Sequence, residues 1–150
     1  MFKFLERKFK DKYDKGGNPY ALHLFSVQKR FTDKYGSRDY DCVVACLLHD
    51  ILEDTETTEE ELLDVSFVNE RVLELVKILT RRKDETYMGY IRRVACDNDA
   101  REIKLCDLED NMDITRLSSF NVEDFSLLKR YWEAWNFLNS RYIKNEKSKL

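Results

Sequence analysis

The middle of the sequence holds one imidazole and three carboxylates at helical spacing. Residues 45–55 read ACLLHDILEDT without glycine or proline, so they predict one continuous helix from about residue 40 to residue 54. One turn upstream the same face is apolar, which is not typical of a solvated surface. Burying these groups without partners is costly, and a bound cation would remove the cost because imidazole and carboxylate are common metal ligands. The residues that share this face are His49, Asp50, Glu53 and Asp54.

Two other predicted helices carry polar residues within apolar stripes. His23 lies in the stripe of a helix predicted from Pro19 to about Lys34. Taken alone, such a histidine is more often a hydrogen-bonded core residue than a metal ligand. Asp107 and Asn111, one turn apart, interrupt the stripe of a helix predicted from about Ala100 to Leu117. A buried carboxylate and a buried carboxamide both need hydrogen-bonding partners.

Four of these polar residues on apolar helix faces could together bind one metal ion. His23, His49, Asp50 and Asp107 offer two imidazoles and two carboxylates from three helices. This set suits a six-coordinate divalent ion with positions left for water, such as manganese, iron or magnesium. No thiolate is required, which disfavours a structural zinc site.

The composition predicts a single all-α domain over residues 1–150. The chain is 43% hydrophobic and 37% charged, and it has one proline and four glycines, fewer than long sheets and many turns would need. Residues 144–150 are expected to form a frayed polar tail. Other helices are predicted at about residues 2–13, 69–80, 87–96 and 122–142, with Asn18 capping the second helix and Thr57 or Thr58 capping a short one.

Several classes of protein are disfavoured by charge and hydropathy. A net charge of -3 argues against a dedicated nucleic-acid binder. No apolar run approaches the roughly 20 residues of a membrane helix, and the N-terminus lacks the apolar region of a signal peptide. The four cysteines form no CxxC pair and are expected to be reduced core thiols in a cytoplasmic protein.

Three segments, in order, resemble one known family. They read GNPYALH at residues 17–23, LLHDILEDT at 47–55 and KLCDLEDN at 104–111. This pattern is similar to that of the HD superfamily of metal-dependent phosphohydrolases, and in detail to the hydrolase domain of RelA/SpoT alarmone enzymes and the small alarmone hydrolases, including the Mesh-type. An HD pair alone is a weak motif, but the three segments together are specific. The resemblance implies a compact HD-domain helical bundle that removes the 3′-pyrophosphate of (p)ppGpp.

The resemblance also implies roles for individual residues. Glu53 and Asp54 would lie beside the attacking water as catalytic acids, and Asn111 would contact the substrate or steady Asp107. One metal ion, usually manganese in this family, would be held by His23, His49, Asp50 and Asp107.

The departures from the family pattern concern substrate recognition. Leu24 follows His23 where the family usually has proline, and Asp14-Lys15, or Lys12 with a different gap, stands where an arginine-lysine pair usually meets the nucleotide. These changes leave the metal set intact and leave the guanine preference open. Another nucleotide phosphate therefore stays a candidate substrate, for example an adenosine alarmone, NADPH or a pyrophosphorylated tRNA end. A non-catalytic nucleotide-binding or antitoxin-like partner is the third alternative, and a homo-oligomer is compatible with all of them.

A pyrophosphorylated nucleotide must be met by local cations, because the protein as a whole is acidic. The residues near the site otherwise add negative charge. We expect the phosphates to contact Lys12 and Lys15 in the loop before His23, or Arg81 and Arg82 after the middle helix. Arginine can bind a phosphate through two N–H groups at once, so the two arginines are expected to matter more than neighbouring Lys83.

Overall fold

The computed structural model describes residues 1–37, 39–117 and 121–147. Within these residues the secondary structure is helical, which confirms the predicted all-α class, and the only pairing of extended backbone is an isolated bridge between Tyr13 and Pro19. The helices are α1 (Phe2–Lys8), α2 (Ala21–Tyr35), α3 (Tyr40–Leu48), α4 (Ile51–Asp54), α5 (Glu59–Leu63), α6 (Glu70–Leu79), α7 (Tyr87–Val94), α8 (Asn98–Asn111) and α9 (Val122–Lys147), with a 3₁₀ turn at Ile114–Arg116.

Most helices begin where a short polar side chain accepts a backbone N–H of the first turn, as helix capping requires. Thr58 caps α5 as predicted, by accepting the N–H of Glu61. The prediction for Asn18 is wrong, because α2 begins at Ala21 and Asn18 instead bonds Asp14 within the loop. The other side-chain caps are Asp39 for α3, Asn69 for α6, Thr86 for α7 and Asp97 for α8.

The central helix is interrupted, contrary to the prediction of one continuous helix. The helix α3 ends at Leu48 and α4 begins at Ile51. Asp50, with φ -102° and ψ 1°, is in the sparsely populated region between helical and extended backbone. The carbonyl of Asp50 then accepts the N–H groups of Glu53 and Asp54, so the chain resumes helical bonding at once. The interruption places Asp50 between two helices instead of on a regular helical face.

The packing explains how the ends of these helices meet. Helix α2 packs on α3 and α8, α3 also packs on α6, and α9 covers α8. His23, His49 and Asp107 are all at most 2% exposed at the junction of α2, α3 and α8. Apart from His49, the largest fully buried side chains among the described residues are aliphatic, and include Leu24, Val27, Leu48, Ile51, Leu75, Ile91, Ile103, Leu108 and Leu138.

Helices α1 and α8 are shorter than the sequence predicts, and α9 is longer. Helix α1 ends at Lys8, five residues earlier than expected, and α8 ends at Asn111, before the predicted end at Leu117. Ile114 therefore lies in the 3₁₀ turn, where it is exposed. On α9 the aromatic side chains are only partly packed: Tyr131 and Trp135 lie against the core, whereas Phe125 and Trp132 are exposed. Helix α9 runs to Lys147, and residues 148–150 of the predicted tail lie outside the described residues.

Candidate metal centre and active-site cavity

Four side chains from three helices and the turn between them converge in the interior. His23 comes from α2, His49 from the end of α3, Asp50 from the turn before α4, and Asp107 from α8. The Nε2 atom of His23 lies 3.2 Å from Asp107 Oδ1 and 3.6 Å from Asp50 Oδ2. The Nε2 atom of His49 lies 2.9 Å from Asp50 Oδ2 and 3.4 Å from Asp107 Oδ1. One ligand atom of each residue lies within 4.8 Å of all the others.

Both imidazole rings turn the same nitrogen toward this centre. The Nδ1–H group of His49 donates to the carbonyl oxygen of Cys46 at 2.8 Å, which leaves a lone pair on Nε2. The Nδ1 atom of His23 lies 2.7 Å from Asp110 Oδ2. Within the described part of the chain, neither Nε2 atom has a hydrogen bond of acceptable geometry, although both are buried. Two buried nitrogens without partners are an expensive arrangement unless a ligand satisfies them.

The spacing of these atoms fits a divalent ion. An octahedral ion with bonds of about 2.1 Å separates neighbouring ligand atoms by about 3 Å. The four nitrogen–oxygen separations, from 2.9 to 3.6 Å, are close to that value. The set of two imidazoles and two carboxylates is also a usual one for such ions. The buried group can therefore hold a divalent metal ion.

Electrostatics favour carboxylates in their charged form at this centre. Burial by itself would raise the pKa of Asp107, but the Lys104 ammonium and the two histidines lower it well below its usual range. Burial would lower the pKa of His49, yet the Asp50 and Asp107 carboxylates outweigh that effect and raise it to about 9. The protein without metal therefore attracts positive charge to this position, as a proton or as a cation.

Two other residues of α8 also hold the Asp107 carboxylate by hydrogen bonds. Lys104 Nζ donates to Asp107 Oδ2 at 2.5 Å, and Asn111 Nδ2 donates to Asp107 Oδ1 at 2.6 Å. Lys104 is part of the sequence segment KLCD, but its position as an almost buried counter-ion was not predicted. Tyr20 similarly donates its hydroxyl to Asp50 Oδ2 at 2.6 Å.

The four residues His23, His49, Asp50 and Asp107 are here called the His/Asp cluster, and its two carboxylates line a cavity of about 220 Å³. Glu53 and Asp54 line it beside Asp50 and Asp107, and burial raises the pKa of both acids. Glu53 Oε1 accepts the backbone N–H of Arg81, which fixes its position. The remaining lining residues are Tyr20, Arg81, Tyr87, Tyr90, Lys104, Asn111, Arg130 and Tyr131.

Three cationic side chains line this cavity, and only one of them was singled out in the sequence. Arg81 follows α6, Lys104 lies on α8, and Arg130 comes from α9 with its guanidinium 4.7 Å from the ring centre of Tyr87. Arg130 was missed because helical periodicity shows that a residue lies on a helix face but not which cavity that face borders.

The other predicted phosphate contacts are located elsewhere. Lys15 lines a second cavity of about 320 Å³, which shares Tyr20 and Asp54 with the first, and its ammonium pairs with Asp124 at 2.7 Å. Lys12 is exposed, and its charge acts on Asp54, whose pKa depends mainly on burial. Arg82 lines a separate groove, so the structure does not bring it to the His/Asp cluster.

Comparison with solved structures shows the fold. A metazoan ortholog of SpoT, described as hydrolysing ppGpp and taking part in starvation responses, superimposes with a TM-score of 0.70 over 95% of this chain and 92% of its own, at 20% identity. The chain therefore has the HD-type hydrolase fold, and the described residues contain no helix that is long and apolar enough to cross a membrane.

Comparison with curated sequences finds similarity to proteins that share one name. The chain is 32% identical over 119 residues to a guanosine-3′,5′-bis(diphosphate) 3′-pyrophosphohydrolase of Aquifex aeolicus, covering 74% of this chain and 16% of that protein. Over 105 residues it is 33% identical to the protein of the same name from Haemophilus influenzae, covering 64% and 15%. The chain spans about a sixth of the length of these relatives, and no protein-family model matches it. The predicted resemblance to SpoT-type ppGpp hydrolases is thus confirmed.

Proposed function

We propose that the protein is a metal-dependent pyrophosphohydrolase that removes the 3′-pyrophosphate of (p)ppGpp-like nucleotides. The observation that carries the proposal is the buried His/Asp cluster opening into a cavity that is also lined by two further acids, Glu53 and Asp54, and by three cations. Relatives named as 3′-pyrophosphohydrolases and the shared fold support the same reaction.

His23, His49, Asp50 and Asp107 would hold the metal ion, and we propose Mn²⁺ as that ion, with Fe²⁺ and Mg²⁺ as alternatives. When bound, such an ion supplies Lewis-acid polarisation of a phosphoryl oxygen and lowers the pKa of water. The chain itself supplies the orientation of these four ligands. Lys104 and Asn111 hold the Asp107 carboxylate by hydrogen bonds to its two oxygens, so its direction is fixed before any ligand binds.

Glu53 and Asp54 are the proposed acid–base residues. Because burial raises the pKa of each carboxyl, their proton affinity lies closer to neutral pH, where a general acid or base is most effective. The bond from the Arg81 N–H holds Glu53 Oε1 in place at the wall of the cavity. Glu53 can therefore take a proton from the attacking water, and Asp54 can return a proton to the leaving oxygen.

The phosphates would contact the cations of the same cavity. Arg81, Arg130 and Lys104 all line this cavity, and together they would offset the charge of a pyrophosphate group. The nucleoside would extend into the adjoining second cavity, where Lys15 and Tyr131 are available. Lys12, which is exposed in the loop that carries Lys15, is proposed to meet the outer phosphates. Asn111, which lines both cavities, is proposed to contact the sugar.

The test is a product analysis. The purified protein would be loaded separately with Mn²⁺, Fe²⁺ and Mg²⁺ and incubated with ppGpp, pppGpp, an adenosine alarmone, NADPH and a pyrophosphorylated tRNA end, and the products separated by chromatography. We expect GDP or GTP plus pyrophosphate, fastest with Mn²⁺. Hydrolysis of another member of the panel alone would reassign the substrate, and binding of nucleotides without turnover would indicate a non-catalytic partner.

A further inference from the structure

Asp110 is a buried carboxylate that neither the metal set nor the acid–base pair uses. Its side chain is 0% exposed, and it lies three residues after Asp107 on α8. Its Oδ2 atom is 2.7 Å from Nδ1 of His23, on the opposite side of the ring from the Nε2 atom that faces the centre. Asp110 therefore contacts His23 through the ring nitrogen that points away from the centre.

Asp110 is held in turn by two donors from α2. Ser26 Oγ donates to Oδ1, and Arg30 Nε donates to the same oxygen at 3.2 Å. His23, Ser26 and Arg30 are spaced by three and four residues, so they lie on one face of α2. The face that carries the histidine thus also carries the groups that orient its carboxylate partner.

Both histidines of the cluster direct Nε2 toward the centre and Nδ1 toward a hydrogen-bond acceptor, but the two acceptors are of different kinds. For His49 the acceptor of the Nδ1–H group is the backbone carbonyl of Cys46, which substitution of a side chain cannot remove. For His23 the acceptor is the side chain of Asp110, which is substitutable. An acceptor at Nδ1 fixes the tautomer and the ring orientation, and a charged acceptor increases the basicity of Nε2.

We infer that Asp110 is a positioning residue for the metal centre: it accepts the Nδ1–H of His23 and so presents the Nε2 lone pair to the ion, with Ser26 and Arg30 fixing the carboxylate. The inference rests on the proposed metal-dependent function. According to this inference, the affinity for the metal ion depends on three hydrogen bonds from α2, from His23, Ser26 and Arg30, to the Asp110 carboxylate on α8.

The primary variant is Asp110→Asn, which keeps the shape of the side chain but removes its charge and offers an amide donor. We expect the dissociation constant for Mn²⁺, measured by calorimetric titration of metal-free protein, to rise about 10- to 100-fold. At saturating Mn²⁺ the kcat for the nucleotide should return to within about threefold of the parent value, because Asp110 acts through His23. A purely structural role would not produce a loss of activity that added metal reverses.

Asp113→Asn is the matched control. Asp113 also accepts a bond from Arg30, from Nη2 at 3.5 Å, but the structure gives it no bond to His23. Its Mn²⁺ affinity should equal that of the parent. Ser26→Ala, which leaves the carboxylate in place, should weaken Mn²⁺ binding by a smaller factor than Asp110→Asn.

The outcomes separate the inference from the proposed function. If Asp110→Asn bound Mn²⁺ within twofold of the parent, the positioning role would be wrong even if the parent hydrolysed the nucleotide. If Asp110→Asn failed to fold, Ser26→Ala would decide, and parental Mn²⁺ affinity in that variant would overturn the inference. A parent protein that binds Mn²⁺ tightly but hydrolyses no nucleotide would refute only the proposed function.

Discussion

Replacing Asp107 by asparagine should destabilise the metal-free protein, and a second substitution at Lys104 should partly reverse the effect. Asp107→Asn keeps the shape of the side chain but removes the negative charge that faces the Lys104 ammonium at 2.5 Å. The two side chains are only 2% and 12% exposed, so water cannot replace the lost partner. Lys104→Met in the same protein then removes the uncompensated cation.

The magnitude follows from this burial. Removing one member of a buried ion pair costs about 3–5 kcal/mol of unfolding free energy, because the other charge is left without its partner. A charge-assisted hydrogen bond contributes about 1.5–3 kcal/mol. We therefore expect the double variant Lys104→Met/Asp107→Asn to be more stable than the sum of the single effects by about 2 kcal/mol. Metal binding should not recover, because Asp107 Oδ1 supplies one of the four proposed ligand atoms.

Urea unfolding of all four proteins in the presence of a chelator measures this coupling, and Mn²⁺ titration measures the binding. Asp33→Asn serves as the control, since Asp33 is an exposed partner of Lys29 on α2 and its loss should cost no more than about 0.5 kcal/mol. Additive effects of the two substitutions, within about 0.5 kcal/mol, would refute the coupling. Parental Mn²⁺ affinity in Asp107→Asn would refute its role as a ligand.

Three other predictions follow from the same cavity and its surroundings. Glu53→Gln should keep Mn²⁺ binding and stability but lower kcat about 10²- to 10⁴-fold in a steady-state assay, because an amide cannot exchange the proton; unchanged kcat would move that role to Asp54. Arg81→Ala should lower kcat/KM about 10- to 100-fold, whereas Arg82→Ala, in a separate groove, should leave it nearly unchanged; equal effects would place the phosphates elsewhere. Hydrogen bonds from Arg93 lower the pKa of Glu85 from 4.5 to about 2, so the stabilisation they give is present above pH 4.5 and lost as the pH falls toward 2. Thermal unfolding should therefore show Glu85→Gln less stable than the parent at pH 7 and equal to it near pH 2.

The sequence alone determined the class of fold and the four candidate metal ligands. Few glycines and prolines and a period of 3.6 residues predicted helices, and the helix over Glu70–Leu79 agrees closely with its prediction because Asn69 caps it and its apolar residues repeat regularly. The ligands His23 and Asp107 could be recognised because polar residues in apolar stripes are costly unless they share a partner.

Only the tertiary structure decided what those residues face. The break at Asp50 was not predicted, because no glycine or proline lies near His49 and Asp50 and local propensity gives no reason for a turn there. Arg81 and Arg82 are adjacent, and the sequence does not distinguish them as phosphate contacts. Only Arg81 lines the cavity beside the His/Asp cluster, whereas Arg82 lines a separate groove.

Asp110 shows the same limit within a single helix. In the sequence it lies three residues after Asp107, which places it on the same side of the helix, whereas Glu109 falls on the solvent side; the spacing does not show which group Asp110 contacts. In the structure Glu109 pairs with Lys34 at the surface, while Asp110 bonds His23 in the interior. Periodicity reports which face of a helix is buried, but the partner of each buried group depends on how the neighbouring helix is placed, and that placement is a property of the whole packed core.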